Sequence, residues 1–407
     1  VSTSFSTGNP ALRGLWTRGF AMALGALGAA VIIVAMQLPL MNRAEHATVT
    51  LRSLDGSGAP STLAWPSVGS AALVIPALGV ERSWHDAVVP IASLTKLMTA
   101  YVVLKRLPLA QGRTGPCTVV TTSDVQAYDF MRASGQSSVA VSVGEPICEL
   151  DLLKGLLIHS ASNYALMLAN MTLGTPTAFI AAMNATAQSL GFVGTHYADV
   201  AGYDDRSVST ALDQGLLAEM LMRSPLVRSI VDQTSVTLPF AGTVNSFTPY
   251  VGLDDVIGVK SGRTIAAGGC DVMAITFALG GTTGVAYAVV LGQRGGDLLG
   301  PAGDAALALD RSALASGSDV VVSRSTVIGR LGWSGQNVPV VVAHRESFFW
   351  WGAKGAVPFS VRLLHFTRTI HRGQLVGWLR VRAVRSHAYP LVAGATVSPP
   401  SLWQRLR

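Results

Sequence analysis

The order in which apolar periodicity changes along the chain limits its architecture more than any single motif does. A strand-like run, Ala71-Ala72-Leu73-Val74-Ile75, comes first. Helical spacing follows over about 93–107, on Ile91, Leu94, Leu97, Val102 and Val103, and again over 152–190, punctuated by Gly174 and Pro176. Strand character then returns at Val256-Ile257-Gly258-Val259, Val272-Met273-Ala274-Ile275-Thr276-Phe277 and Val285-Ala286-Tyr287-Ala288-Val289-Val290-Leu291, before a last helix over about 303–315. Strands that find their partners only beyond a helical cluster predict an α/β (α+β) fold, an antiparallel sheet with helices inserted into it and packed on its faces. After Gly317 the pattern is short alternating strands, among them 320–322, 338–342, 359–363 and 375–381, which predicts a small all-β domain over 318–400.

Upstream, residues 19–41 are uncharged and mostly apolar, long enough as a helix to cross a hydrocarbon core. Arg13 and Arg18 precede them, so the positive-inside rule predicts a cytoplasmic 1–18, a single-pass anchor and an extracytoplasmic remainder in the cytoplasmic membrane. A cleaved signal is the competing reading, less favoured because the run is long and no small-x-small site follows it. Residues 42–63 read as a linker, turning to Ser, Gly and Pro towards their end.

The net charge of +7 is uneven: from Arg324 onward twelve Arg and Lys face the single acid Glu346, ending in a basic tail at 401–407. Such an excess suits an anionic polymer or lipid; no nucleic-acid-binding motif accompanies it, and no nucleic-acid partner is expected. Cys117 precedes the strand-like Thr118-Val119-Val120, and Cys148 lies just past the extended run 139–143. Pairing of those segments would let the two sulfurs meet; three small buried thiols, Cys270 included, is the alternative.

Three short stretches carry chemistry. Pro90-Ile91-Ala92-Ser93-Leu94-Thr95-Lys96 sets Ser93 and Lys96 on one face at a helix start. His159-Ser160-Ala161-Ser162-Asn163-Tyr164 joins two helical stretches, and Gly258-Val259-Lys260-Ser261-Gly262-Arg263-Thr264 closes an apolar strand. With only five lysines in the chain, two of them at such positions is more than composition supplies.

In this order the motifs resemble the serine D-alanyl-D-alanine carboxypeptidases, the low-molecular-mass penicillin-binding proteins. The likeness runs over about 64–315, through Ala64-Trp65-Pro66, Gly135-Gln136-Ser137, Thr195-His196-Tyr197-Ala198-Asp199, Ser209-Thr210-Ala211 and Ala266-Ala267-Gly268-Gly269. The tail, with its Trp403-Gln404-Arg405-Leu406 ending, is similar to the β domain of actinobacterial-type members. The resemblance implies a penicillin-binding, β-lactamase-like transpeptidase fold with a helical subdomain. It implies release of D-alanine from peptidoglycan stem peptides, with β-lactams as covalent inhibitors.

A serine hydroxyl is a weak nucleophile until a base takes its proton. The resemblance makes Ser93 the nucleophile and Lys96 its base, kept neutral by burial and by a second cation, Lys260. It makes Ser160 the proton relay and the N–H groups of Ser93 and Arg263 the oxyanion hole, with Lys260 and Ser261 on the substrate carboxylate. Gly262 keeps the strand edge clear for substrate. One position departs from the pattern: Ser162 stands where the family has asparagine, and Asn163 follows one residue later, so either side chain is a candidate for the substrate contact. That departure leaves a catalytically weakened or inactive penicillin-binding pseudo-enzyme as the alternative. A β-lactamase is a poorer fit, because no glutamate follows Asn163 until Glu219. No histidines have metal-ligand spacing, and neither metal nor cofactor is expected. His159 reads as structural, since no Gly-x-Ser-x-Gly elbow surrounds a serine.

Overall fold

The computed structural model describes residues 48–51, 55–56 and 62–398, less 254, 280–281, 334–335, 352–354, 357–358, 367–368 and 383–385. The apolar run 19–41, most of the linker and the tail 401–407 lie outside these residues. Among those described, no single helix is long and apolar enough to cross a membrane.

Strands β1 (Ser70–Ile75) and β2 (Val80–Trp84) form a hairpin. Much later β5 (Val256–Thr264), β6 (Gly268–Leu279) and β7 (Thr282–Gln293) complete a five-stranded antiparallel sheet in the order β5-β6-β7-β1-β2. Strand β1 is buried along its whole length because both faces of the sheet are covered. Ala72 and Val74 pack into the helical cluster, whereas Ala71 meets Ala302, Ala306 and Leu309 of the closing helix α8 (Leu299–Ala315). A continuous apolar run, not an alternating one, is what such a position requires.

Between β2 and β5 lie α1 (Thr95–Arg106), β3 (Cys117–Val119), α2 (Thr122–Ala133), β4 (Pro146–Cys148), α3 (Glu149–Leu157), α4 (Ser162–Leu173), α5 (Pro176–Ser189), α6 (Ala211–Met222) and α7 (Pro225–Val231). Helix α1 is almost wholly buried, with Leu97, Met98, Val102 and Val103 in the cluster core. Helix α2 has no fully buried residue, and only Val125 of its side chains is packed against the core. Its start is nevertheless written in a capping box: Thr121 Oγ1 accepts from Asp124 N–H, and Asp124 Oδ2 accepts from Thr121 N–H at 2.9 Å.

Cys117 and Cys148 are cross-strand partners of β3 and β4 and are joined by a disulfide, while Cys270 is a buried free thiol. The strand opposite Cys117 is 146–148, not the extended run 139–143 that the sequence suggests. That run forms no ladder because the Asn163 side chain takes both backbone groups of Val139, donating to its carbonyl at 2.8 Å and accepting from its N–H at 3.0 Å.

Beyond α8 come β8 (Gly317–Val322), β9 (Val327–Trp333), β10 (Gln336–Val342), β11 (Glu346–Trp351), β12 (Phe359–Leu363), β13 (Leu375–Arg382) and β14 (Ser386–Ala393). The segment Thr48–Leu51 joins β9 at the edge of a six-stranded sheet that continues β9-β10-β14-β13-β12. The pair β8 and β11 packs Val320, Val322 and Phe348 onto its inner face, against Leu331, Val340, Leu379 and Leu391.

The disulfide closes 31 residues of sequence around α2. Chain entropy over a loop of that size contributes about 3.7 kcal/mol. Cys117→Ser with Cys148→Ser should therefore lower the thermal midpoint by roughly 7 to 15 °C. Calorimetry under non-reducing conditions measures this, and an unchanged midpoint would mean that the bridge leaves stability untouched.

Candidate active site

Ser93 occupies a 3-10 turn, Ala92–Leu94, that feeds directly into α1. From Ile91 to Ala100 every residue is buried except Ser93, which is partly open, so the helix start is sealed on all sides but that of the hydroxyl. One turn on, the Lys96 Nζ lies 2.8 Å from Ser93 Oγ and donates to Ala201 O, also at 2.8 Å. Thr99, a further turn along the same face, donates to Val200 O at 2.7 Å. The loop that offers these carbonyls is fixed by Asp199, whose carboxylate accepts from Gly202 N–H, Tyr203 N–H and the Ser207 hydroxyl. Gly202 closes the fit: it has φ +80°, and a Cβ there would lie 1.8 Å from Ala92 O.

Burial pushes Lys96 well below the ordinary lysine range, and the nearby charge of Lys260 pushes the same way; Asp199 opposes both. The result is a buried amine held against a serine oxygen, an arrangement chemically able to pair a general base with a nucleophile. Burial and Lys260 are the two causes that the resemblance implies, and burial is the larger.

Ser160 stands between α3 and α4 with φ +60°, in the left-handed region. Its Oγ is buried without a hydrogen-bond partner among the described residues, an arrangement that suits transient proton traffic better than stability. Next to it His159 is structural, its Nδ1 2.9 Å from Asn245 O and its ring against Phe247. Ser162, also buried, begins α4 and donates its N–H to Ser137 O. Asn163 has a different task from the substrate contact considered above: both ends of its amide are committed to Val139.

Lys260, Ser261 and Gly262 lie on β5 beside the Ser93 turn. Lys260 is fully buried and donates to Ser261 O at 2.7 Å, while Ser261 Oγ donates to Phe247 O at 2.8 Å. Desolvation lowers Lys260 to about 7, against the pull of buried Asp271. The missing side chain of Gly262 makes room for the enzyme itself before any substrate: a Cβ there would sit 2.6 Å from Ser93 N. The Arg263 side chain is exposed and donates to Asp297 O, leaving only its backbone for the site. Two features escaped pattern reading. The Ala201 carbonyl is backbone and has no signature, and Asp271 hides within the strand-like run after Gly269. Among the described residues no group of His, Cys, Asp and Glu could hold a metal ion.

A family model described as D-alanyl-D-alanine carboxypeptidase matches residues 81–294. The chain is 36% identical over 204 residues to the D-alanyl-D-alanine endopeptidase of Pseudomonas aeruginosa, covering 47% of this chain and 61% of that protein. It is 32% identical over 233 residues to the namesake of Escherichia coli, covering 53% and 70%. Among solved structures, penicillin binding protein 5 from Haemophilus influenzae superposes with a TM-score of 0.57 at 18% identity over 82% of this chain and 99% of that one. The carboxypeptidase DacD from Francisella tularensis superposes equally, at 0.57 and 18% over 86% and 97%. These structures establish the penicillin-binding α+β fold.

The two lysines impose opposite demands on pH. As a base Lys96 must be neutral, so activity falls as pH drops through its depressed pKa; as an anion clamp Lys260 must be charged, so substrate capture falls as pH rises past about 7. The kcat/KM profile should be a bell whose alkaline limb begins near 7. Lys260→Arg should move that limb up by at least one pH unit, about a tenfold change in proton activity. An alkaline limb indifferent to this change would remove Lys260 from carboxylate capture.

Proposed function

The chain belongs to the D-alanyl-D-alanine carboxypeptidase family, and on that premise we propose that it removes the terminal D-alanine from peptidoglycan stem peptides through an acyl-enzyme on Ser93. The observation that carries this reading is the buried Lys96 amine 2.8 Å from Ser93 Oγ. In the proposed course Lys96 takes the hydroxyl proton while Oγ attacks the carbonyl carbon of the penultimate residue. Its remaining N–H stays on Ala201 O, so the base does not swing out of line. The N–H groups of Ser93 and Arg263 receive the oxyanion. Ser160 passes its proton to the departing amine and takes the one held by Lys96, the C–N bond breaks, and D-alanine leaves with Lys96 neutral again. Lys260 and Ser261 hold the carboxylate of the leaving residue, Ser261 exchanging its bond to Phe247 O for one to substrate. Water then attacks the ester, the acid is released, and Ser93 regains its proton. β-Lactams, which present a strained amide and a carboxylate at similar spacing, acylate the same oxygen.

Cleavage of cross-links in place of free termini is the second reading, favoured by the endopeptidase names of the Pseudomonas aeruginosa and Escherichia coli relatives. The site is proposed to lie outside the cytoplasmic membrane, anchored by 19–41, and the disulfide supports an oxidising compartment. Purified protein given a free pentapeptide and a cross-linked dimer in parallel separates the two activities. D-Alanine release from the first with the dimer intact supports the carboxypeptidase, and the reverse supports the endopeptidase. Ser93→Ala should abolish turnover and covalent penicillin labelling together. Labelling absent from the unaltered chain would leave a pseudo-enzyme, and rapid loss of the label a β-lactamase.

Ser162 and Asn163 give a sharper prediction. A hydroxyl in place of an amide forgoes one positioned hydrogen bond, on the order of 1 to 2 kcal/mol. Ser162→Asn should therefore speed acylation by penicillin roughly tenfold. Asn163→Ala strands the buried N–H and carbonyl of Val139 and should show first as a thermal midpoint lower by several degrees. Stopped-flow acylation and calorimetry on both variants check the assignment; reversed phenotypes would exchange the two roles.

A further inference from the structure

The six-stranded sheet has one face turned to its own core and one turned outward, and the outward face is basic. Register across the strands settles which residues share it. Trp378 on β13 pairs with Arg362 on β12 and with Pro390 on β14, and Arg380 pairs with Ser360 and Ala388. Across the sheet, Val341 pairs with Val392, and Arg330 on β9 pairs with Pro339 on β10. The alternate residues, Leu331, Val340, Leu379, Val381 and Leu391, are buried in the sandwich. Arg330, Arg362 and Arg380 are exposed, and none has an ion-pair partner among the described residues. None of the six strands carries an aspartate or glutamate.

Of the apolar side chains on the same face, Trp378 and Leu375 are the large ones that stand exposed. Trp378, 37% exposed, stands directly beside Arg362, and Leu375, 36% exposed, is paired with Val392. Guanidinium groups alone would suit any polyanion. An aromatic ring and a leucine half open among them match a surface with phosphates outside and hydrocarbon just beneath. We propose that this face of the β domain docks on an anionic lipid bilayer, with Arg330, Arg362 and Arg380 on headgroup phosphates and Trp378 and Leu375 at the acyl boundary. The docking is independent of the peptidase chemistry, because none of these residues belongs to the site around Ser93.

The test uses the full chain with vesicles whose lipids carry brominated acyl chains, which quench a tryptophan only on contact. In phosphatidylglycerol vesicles the share of quenching that disappears in Trp378→Phe should approach one tryptophan's part of the eight in the chain. It should vanish in phosphatidylcholine and in molar salt. At about a fivefold loss per arginine near a charged bilayer, Arg330→Gln, Arg362→Gln and Arg380→Gln together should weaken docking roughly a hundredfold. Penicillin labelling and thermal midpoint unchanged in these variants exclude loss of the fold as the cause. Equal quenching of Trp378→Phe and the unaltered chain in phosphatidylglycerol overturns the proposal, as does quenching of Trp378 that is equal in the two lipids. A response of Trp378 to soluble polyphosphate without lipid quenching also overturns it, and would give the face to an anionic polymer.

Discussion

A lysine side chain sealed from water must be met by acceptors or be pushed toward its neutral form, and at Lys96 two acceptors and a lowered pKa act together. Lys96 is placed in the first turn of a helix that is itself core, so neither its stem nor its amine can reach solvent. One backbone carbonyl and one serine oxygen are its hydrogen-bond partners. Holding that carbonyl requires the 199–207 loop, which Asp199 folds into a series of N–H contacts and which Gly202 lets approach the helix start. On the other side Gly262 lets β5 close on the Ser93 backbone. Sheet and helical cluster therefore meet at one serine, and each constraint on their packing is also a constraint on the nucleophile.

Charge is scarce in this interior, and what is there is arranged across the sheet. Val272, the cross-strand partner of Lys260, packs into the helical cluster, whereas Met273 and Ile275, which share the side of Asp271, meet α8. Asp271 and Asp310 of α8 are both buried, and desolvation drives both carboxyls well above the usual range, with Lys260 pulling Asp271 back and Asp271 adding to the rise of Asp310. The lysine is lowered and the aspartates are raised, so the interior is disposed toward neutrality on both sides. In the proposed course an incoming carboxylate would supply Lys260 with an opposite charge and so favour its charged form.

The strand, helix and strand order of the chain was enough to anticipate a sheet with helices inserted, because strands buried on both faces cannot avoid long apolar runs. Ser93, Lys96 and Lys260 were legible for another reason: three short motifs stand in the order of a known family, and two of only five lysines fall within them. Helix α2 was not, since its stripe of Val125, Tyr128 and Met131 is short and none of it is fully buried. The run 139–143 misled, because extended residues look alike whether their partner is a strand or the amide of Asn163. The base's second partner, Ala201, was beyond reach, as a carbonyl is the same in every residue.

That amide also explains why the departure at Ser162 cannot be repaired by sliding the helix. Asn163 bonds both backbone groups of Val139, and Ser162 N–H bonds Ser137 O, so two successive residues of α4 are pinned to the 135–143 segment. Moving Asn163 one position back, into the cleft, would leave the Val139 pair unsatisfied in a buried place, at a cost of several kcal/mol. The chain keeps the asparagine that builds the wall, and the adjoining position is left with a hydroxyl. Lys96 is then steadied by the Ala201 carbonyl, a partner that belongs to the loop and not to the motif. That backbone contact holds the amine of Lys96 from the loop side, and what an amide at position 162 would add is the hydrogen bond that a hydroxyl forgoes.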